Sequence, residues 1–569
     1  MAARLLRPIS SMEFASMMQS VKPPSGWSET LAVANSGGPD STCLTFLLNR
    51  YLKDRPVKLS SKGTPQRLVS LTVDHDLQSG SAEMANLAAR IAESLGVLHI
   101  TKKLPWGEGK YPPKPEPGKK IEELARDLRY AVFMENMIDL KADVLVLGHH
   151  CDDQVETMLM RLGRGSGQFG LAGMRPCRRL GMGDRKQGDA NQQFGIEEMK
   201  RWIVRPLLTV GKDRILATCE EHKLDYVNDP TNFQPQLTIR NAIRHVTGKG
   251  GAAGLTAEDP CFAEFPAPIA KQLARINVAG ANEPSNSLSL ASDLEHLRTV
   301  SKGLTSALLD IDDKVDKFIA KHRLPSPPGT FMMSPLSLEE IDSPLILEAL
   351  VLRIARYISP EPWGSPRSEL GRRKSSIDRL VKHLRDYQRY RSRNNNSICV
   401  GSSVWWRLVT IGRNQMRTTV RAKPVKDISW IAVRQPGHRL ADAAEVPLHP
   451  LRLNVTQKIR ERREAWLARK APKTLEVLFD CRFLIRFHVD KIPADILESI
   501  STRGKIEIKP RESWIFPQVM HVVNKEPTLI HNNIVHQPFF LEKEWGTKLR
   551  HDINADWIDM EYFRPLSAI

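Results

Sequence analysis

Leu31-Ala32-Val33-Ala34-Asn35-Ser36-Gly37-Gly38-Pro39-Asp40-Ser41-Thr42-Cys43-Leu44-Thr45-Phe46-Leu47-Leu48 is the stretch that decides the fold. The apolar run Leu31–Ala34 predicts a buried parallel strand. The run from Thr42 to Leu48 predicts a helix. Between them, Ser-Gly-Gly is suited to holding phosphate. Glycines allow positive φ and let backbone N–H groups approach an anion without a Cβ in the way. A helix N-terminus adds unpaired N–H groups and its dipole. Ser36 and Ser41 add hydroxyls, and Asp40 could hold a magnesium ion or orient an attacking group. An ordinary strand–turn–helix corner also uses Gly-Gly, so the loop needs support from the rest of the chain.

That support begins downstream. Arg67–Val73 predicts a second strand, with Asp74-His75-Asp76-Leu77 at its C-terminal end. Residues 80–95 carry helical apolar spacing, and Val97–Ile100 predicts a third strand. After a Pro-, Gly- and Lys-rich loop over 105–120 come a helix from Ile121 to Tyr130 and a fourth strand, Asp143–Gly148. Strand–helix alternation implies an α/β, doubly wound parallel sheet, whose strand C-terminal ends bind ligands.

The fourth strand runs into a second chemical centre, Gly148-His149-His150-Cys151-Asp152-Asp153-Gln154-Val155-Glu156-Thr157. The three- and four-residue spacings of Asp152, Asp153 and Glu156 gather carboxylates on one helical face. Asp153-x-x-Glu156 also reads as a capping-box variant. Adjacent His-His-Cys-Asp residues do not easily converge on one transition-metal ion. The carboxylates suit magnesium or an ammonium group instead. Arg164-Gly165-Ser166-Gly167 opens a glycine-rich loop able to grip phosphate or an RNA backbone, or simply to join two helices. Residues 178–200 read as a polar insertion. Arg205-Pro206-Leu207-Leu208, Asp229-Pro230-Thr231-Asn232 and Arg240-Asn241-Ala242-Ile243-Arg244 follow.

Composition sets the bounds. The chain has 569 residues, which suggests about three or four domains of ~150 residues. The formal net charge of +18 favours a polyanionic partner, nucleic acid first. Seven cysteines, none in a Cys-x-x-Cys pair, argue against a disulfide framework or structural zinc. No apolar run is long enough to predict a transmembrane helix. Residues 1–28 read as a tail or a mitochondrial presequence, with Arg4 and Arg7 and no acid before Glu13. A mitochondrial location is slightly favoured over the cytoplasm.

The loop resembles the Ser-Gly-Gly-x-Asp-Ser pattern of PP-loop ATP pyrophosphatases. Gly-x-x-x-x-Gly-Lys is absent, which sets P-loop kinases aside. The ordered set from Ser36–Ser41 through Arg164–Met174 to Arg240–Arg244 resembles the tRNA(Ile)-lysidine synthase family over roughly residues 30–245. One departure is Asp76, which stands where that family has glycine. The resemblance implies ATP and Mg2+ as cofactors. It implies L-lysine and the CAU-anticodon isoleucine tRNA as partners, and a ligase that converts the wobble cytidine to lysidine. Ser36, Gly37, Gly38, Pro39, Asp40 and Ser41 would hold the phosphates. Asp40 and Asp153 would hold magnesium, and Arg126 and Arg205 would offset charge at the α-phosphate. His150 and Glu156 would face lysine or cytidine, in either order, and Arg164, Ser166, Arg240 and Arg244 would meet tRNA.

Rival readings are a PP-loop tRNA thiolase, a decayed tRNA-binding protein and an amidotransferase-type synthetase. Thiolases usually need cysteines for sulfur transfer or metal, and only Cys43 and Cys151 lie near the loop. A decayed protein would be expected to lose Asp40 or Asp153, and both are present. The synthetase reading lacks an N-terminal glutaminase stretch.

The organisation expected is a catalytic domain over 29–247, a linker over 248–290, a mainly helical basic tRNA-binding domain over 291–425 and an α+β region over 426–569. A long amphipathic helix is predicted over 292–321. Basic stretches over 367–393 and 458–466, with Tyr387, Tyr390, Trp405, Trp406 and Trp466, suit phosphate contacts and base stacking.

Overall fold

Strand β1 (Thr30–Ala34) is the centre of a six-stranded sheet, and its Leu31, Ala32 and Val33 are fully buried. The structure is a computed structural model. It describes residues 7–54, 63–77, 80–109, 111–114, 121–182, 192–228, 234–248, 266–281, 292–365, 367–368, 374–391, 397–412, 415–417, 424–435, 451–511, 516–534 and 553–569. The chain divides into two units, Met1–Leu180 with Glu197–Leu309, and Gly181–Ile196 with Asp310–Ile569.

In the first unit α1 (Ser11–Ser20) precedes β1, and α2 (Pro39–Lys53), β2 (Arg67–Asp74), α3 (Ser81–Ser94), β3 (Leu98–Lys103), α4 (Ile121–Asp139), β4 (Ala142–Val146) and α5 (Cys151–Leu162) follow. Then come α6 (Gln168–Leu171), β5 (Cys177–Arg179), α7 (Gln192–Lys200), β6 (Trp202–Val204), α8 (Lys212–Glu221), α9 (Ile239–Gly248), α10 (Ala267–Ala281) and α11 (Leu294–His322). Helices α7 and α11 continue across the boundary between the units.

The strand order is β3-β2-β1-β4-β6-β5. All neighbours run parallel except β5, which is antiparallel to β6 and makes the sheet mixed at that edge. From β1 the chain steps outward through β2 and β3, then returns to place β4 on the other side of β1. The order reverses between β1 and β4, and in open α/β sheets ligands bind outside the strand C-termini at such a point. In register, Val33 lies beside both Ser70 and Val146. The loops after β1 and β4 therefore emerge side by side. Phe133 and Met137 of α4 cover this sheet over Ala32, Val69, Leu145 and Ile203.

Three expectations are corrected here. Residues 7–28 are not a tail: Ile9, Phe14, Met18 and Val21 are buried, and Glu13 pairs with Arg214 of α8 at 2.6 and 2.7 Å. The 248–290 segment is not simply a linker. Ile269, Leu273 and Ile276 of α10 pack with Met158 and Leu159 of α5, Ile243 of α9 and Leu297 of α11. The catalytic domain therefore does not end at 247. The remaining part of that segment, residues 249–265 and 282–290, and the turn 229–232 lie outside the described residues. The long amphipathic helix is present as α11.

The second unit holds β7 (Arg323–Leu324), β8 (Phe331–Met333), α12 (Pro344–Ile358), α13 (Lys374–Arg385), α14 (Tyr387–Arg391), β9 (Ser397–Cys399), β10 (Val404–Gly412), β11 (Gln415–Arg417) and β12 (Ile428–Arg434). It continues with β13 (Leu453–Asn454), α15 (Thr456–Leu467), β14 (Thr474–Phe479), β15 (Phe483–His488), α16 (Ala494–Thr502), β16 (Lys505–Pro510), β17 (Pro517–Val523), β18 (Glu526–His531) and β19 (Ile558–Tyr562). Strands pair as β11-β10-β12-β8-β7 with β9 on β10, as β13-β16-β17-β18, and as β14-β15-β19.

The boundary expected at 425 falls inside the first of these sheets, where Trp406 of β10 opposes Ala432 of β12. The 291–425 segment is thus not an independent helical domain, because its strands have no closed sheet without β12. Tyr387, Trp406 and Trp430 are buried and cannot stack on bases. Trp405 is partly exposed, with the Arg407 guanidinium 4.6 Å from its ring centre.

Candidate active site

The loop after β1 is shaped by its neighbours. Gly37 has φ +78°, and a Cβ there would stand 2.9 Å from Val227 Cγ2 and 3.0 Å from Ala88 Cβ. Only glycine meets both demands. Asn35 pins the turn by accepting from Gly37 N (2.9 Å) and donating to Ser70 Oγ (3.1 Å). Ser36 N donates to Ser41 Oγ at 3.2 Å, and the two serine hydroxyls lie 3.3 Å apart. Gly38 is the N-cap of α2 and provides no side-chain cap, with Pro39 next. The first turn of α2 keeps the uncapped, positive end that favours an anion.

The loop after β4 closes against this turn. A Cβ on Gly148 would sit 3.2 Å from the Asp40 carbonyl carbon and oxygen. His150 caps α5. Its Nδ1 accepts from Asp152 N at 3.2 Å, so its proton is placed on Nε2. That Nε2 lies 3.5 Å from Asp40 Oδ1 and 3.6 Å from Asp153 Oδ2. Asp153 Oδ2 also accepts from His150 N at 3.0 Å. The capping box is therefore formed by His150 and Asp153, not by Asp153 and Glu156. Burial opposes ionisation of Asp153, but His150 and the hydrogen bond from its backbone N–H outweigh it and hold the carboxyl below the usual range.

Lys212, which the sequence reading did not single out, reaches Asp40 Oδ1 at 2.6 Å from the first position of α8. A lysine at a helix N-terminus opposes the dipole, and that mismatch was the available signal.

The remaining acids are engaged by arginines. Arg244 donates to Glu156 Oε1 from Nε at 2.9 Å, and Arg240 approaches Oε2 at 3.5 Å. Burial raises the Glu156 pKa despite these arginines. Glu156 is thus held by α9, and an arriving ammonium would have to displace an arginine. Asp152 is held by Arg298. Among the described residues no cluster of three or more His, Cys, Asp or Glu is arranged for a metal ion. Asp40 and Asp153 are two hard oxygen donors on either side of His150 Nε2, a pair that would hold magnesium with outside oxygens completing its shell.

Arginines approach from the β6 side. Arg205 is 3% exposed, donates from Nε to His149 Nδ1 at 3.3 Å and reaches the Arg175 carbonyl at 2.8 Å. Burial, then Arg178, pushes its pKa down to about 10. Burial, then Arg205, pushes His149 down to about 3, so it is a neutral acceptor. Burial would raise the Tyr130 phenol, but Arg205, Arg178, Arg126 and Arg129 together take it below its ordinary value. Arg126 itself is exposed. Arg178 is a further cation that the sequence reading passed over as part of an insertion.

The Arg164–Gly167 loop is anchored from beneath. Arg161 donates to the carbonyls of Gly170 and Gly173, both at 2.7 Å. Gln154 bonds both backbone groups of Met174. Arg164 is exposed at the tip and Ser166 is half-buried. Asp76 adopts φ +52°, the left-handed conformation that the expected glycine would supply, and its N–H donates to Asp74 Oδ1 at 2.9 Å. Aspartate tolerates that region, so the departure leaves the turn intact.

The sheet is mixed and mainly parallel, with the Ser36–Ser41 loop at the point where its strand order reverses, and residues 10–249 match a family model described as a PP-loop domain. The relatives narrow this. The chain is 34% identical over 251 residues to a tRNA(Ile)-lysidine synthase from Methylobacterium nodulans, covering 44% of this chain and 62% of that one. It is 33% identical over 275 residues to the tRNA(Ile)-lysidine synthase of Bradyrhizobium diazoefficiens, covering 48% and 63%. The matched stretch thus spans less than two thirds of either relative. The solved U34-tRNA thiolase NcsA of Methanococcus maripaludis aligns over 42% of this chain and 72% of its own, with 18% identity and a TM-score of 0.31.

Proposed function

We propose that this protein is a tRNA(Ile)-lysidine synthase, a ligase forming a carbon–nitrogen bond. The observation that carries the reading is the meeting of Asp40, His150 and Asp153 beside the uncapped N-terminus of α2, in a chain whose relatives bear that name.

ATP would lie with its phosphates on Ser36–Ser41. Magnesium, held by Asp40 and Asp153, would neutralise phosphate charge. Arg205 and Arg126 would balance the α-phosphate, and burial makes Arg205 more effective because few waters screen it. The 2-oxygen of the wobble cytidine in a CAU anticodon attacks the α-phosphorus, and pyrophosphate leaves. The ε-amine of L-lysine then attacks C2, the C2–O bond breaks and AMP leaves. The lysine must arrive as an ammonium and react as an amine, so it needs a proton acceptor. Glu156 is held by Arg240 and Arg244, and His150 carries its proton on Nε2 with Nδ1 engaged by Asp152 N, so His150 would orient lysine or cytidine as a donor and the proton would pass to the departing AMP phosphate. Arg164 and Ser166, with the half-exposed faces of Arg240 and Arg244, would contact the tRNA backbone.

The thiolase alternative needs a reactive thiol. Cys43 and Cys151 are both buried, and burial pushes Cys151 up to about 11. Such thiols make poor nucleophiles.

The test is incubation with ATP, magnesium, radiolabelled lysine and the CAU-anticodon isoleucine tRNA. Label in RNA that is lost with Asp40→Ala, and with a non-cytidine wobble base, is expected. ATP-to-AMP turnover without label would move the reading to another nucleophile, and tRNA binding without turnover would move it to a decayed binding protein.

A further inference from the structure

The first turns of α5 and α8 carry the site's key groups: His150 caps α5, Asp153 lies in its first turn, and Lys212 opens α8. One side chain from outside the sequence motifs touches both turns. Arg298, in the second turn of α11, donates to Asp152 from Nε at 2.6 Å and from its terminal nitrogen at 2.8 Å. Its other terminal nitrogen reaches Asp213 at 3.4 Å and also bonds Glu295. Asp152 is the neighbour of Asp153, and Asp213 is the neighbour of Lys212.

The guanidinium is built in rather than splayed on the surface. Its side chain is 8% exposed. The adjoining Leu297 is fully buried in the core shared with α5, α9 and α10. Room for it is made by Gly211, where a Cβ would stand 2.8 Å from Arg298 Cζ and 2.3 Å from Asp213 Oδ1. Gly211 has an ordinary φ of −73°, so its backbone does not require glycine. An added methyl would instead displace the Asp213 carboxylate and, next to it, the guanidinium.

We infer that Arg298 is a positioning residue that ties the first turn of α5 to the first turn of α8 and so keeps Asp153 and His150 facing Asp40 and Lys212. This deepens the proposed reading, since it concerns the same site. The fork geometry is what the role demands. A planar guanidinium can hold Asp152 with two parallel bonds while a third N–H reaches Asp213. An ammonium would keep the charge and lose the fork. The charge has a separate effect. It neutralises the Asp152 and Asp213 carboxylates, whose neighbours are Asp153 and Lys212, so charge and geometry can be separated by substitution.

The experiment compares Arg298→Lys, Arg298→Ala, the double variant Arg298→Ala with Asp152→Asn, and Gly211→Ala. Folded fraction and thermal midpoint are read for each. The dissociation constant for magnesium-ATP and the turnover number for ATP to AMP with the CAU-anticodon tRNA are read per folded molecule. Arg298→Lys is expected to keep ATP affinity and to lose about tenfold in turnover, a coupling typical of residues in one ion-pair network. Arg298→Ala is expected to lose both, and adding Asp152→Asn to restore affinity without restoring turnover. Gly211→Ala, which pushes on the guanidinium from the other side, is expected to resemble Arg298→Lys.

Wild-type turnover per folded molecule in Arg298→Lys and Gly211→Ala would overturn the inference. So would full recovery of turnover in the double variant, which would leave Arg298 a charge neutraliser only. A wild-type protein that binds ATP but shows no turnover with this tRNA would instead fail the proposed function. The same variants would then be read against whichever RNA supports turnover.

Discussion

Lys212 Nζ stands 2.6 Å from Asp40 Oδ1, while His150 Nε2 lies 3.5 Å from the same oxygen. The acid in the loop thus takes one partner from each of two later helices. Such a carboxylate is pre-oriented, and neither partner is near it in sequence.

Lys212→Ala is expected to reduce ATP-to-AMP turnover by about a hundredfold, the usual cost of removing one charged donor from a phosphate site. Asp40 would then face the triphosphate with less compensation, so ATP affinity should fall too. Turnover and equilibrium ATP binding, measured together, check both.

Gly37→Ala is expected to abolish ATP binding and to destabilise the protein. The methyl group would press on Val227 and Ala88 at a positive-φ position, a combination that costs about 1–3 kcal/mol. Gly38→Ala is the control for stability, because a Cβ there meets only Ser36 Oγ at 3.6 Å and φ is −68°. Thermal melts and ATP titration of the pair distinguish them.

Glu13 ties α1 to Arg214, and the hydrogen-bonded guanidinium holds its carboxyl below the ordinary value. A lowered folded-state pKa stabilises where the unfolded carboxylate is already ionised, above about pH 4.5. That contribution is lost as pH falls below this value. Both side chains are about one third exposed, so Glu13→Gln should cost at most ~1 kcal/mol at pH 7. The gap from wild type should close in acid. Denaturant melts at pH 7 and pH 3.5 test the direction.

Glu156→Gln removes the shared partner of Arg240 and Arg244. Tighter tRNA binding is expected, because two half-exposed guanidiniums become free for phosphate. The salt dependence of binding should also steepen, by about one unit of slope per added phosphate contact. Binding measured across a salt series, with lysine absent, checks it. Unchanged binding together with a raised KM for lysine would return Glu156 to the amine.

The parallel sheet, the Ser36–Ser41 turn and the His150 turn were legible because local pattern encodes them. An apolar run makes a buried strand, glycine permits the turn, and a helix start exposes N–H groups. Even the Asp76 substitution resolved as local chemistry, since aspartate takes the left-handed turn. The antiparallel β5 and the burial of Tyr387 and Trp406 were not legible, because pairing and burial are set by distant segments.

What the sequence by itself determined is the set of groups at the strand ends: Ser36–Ser41, His150, Asp153 and Arg205. Which partner each acid keeps was decided only by the tertiary structure. Periodicity puts Asp152, Asp153 and Glu156 on neighbouring positions of one helix. It says nothing of Arg298 arriving from α11, Arg244 from α9 or Lys212 from α8. Those cations stand 88 to 172 residues along the chain from the acids they pair with. Ion pairs act across a few ångströms of space, and folding alone sets that separation.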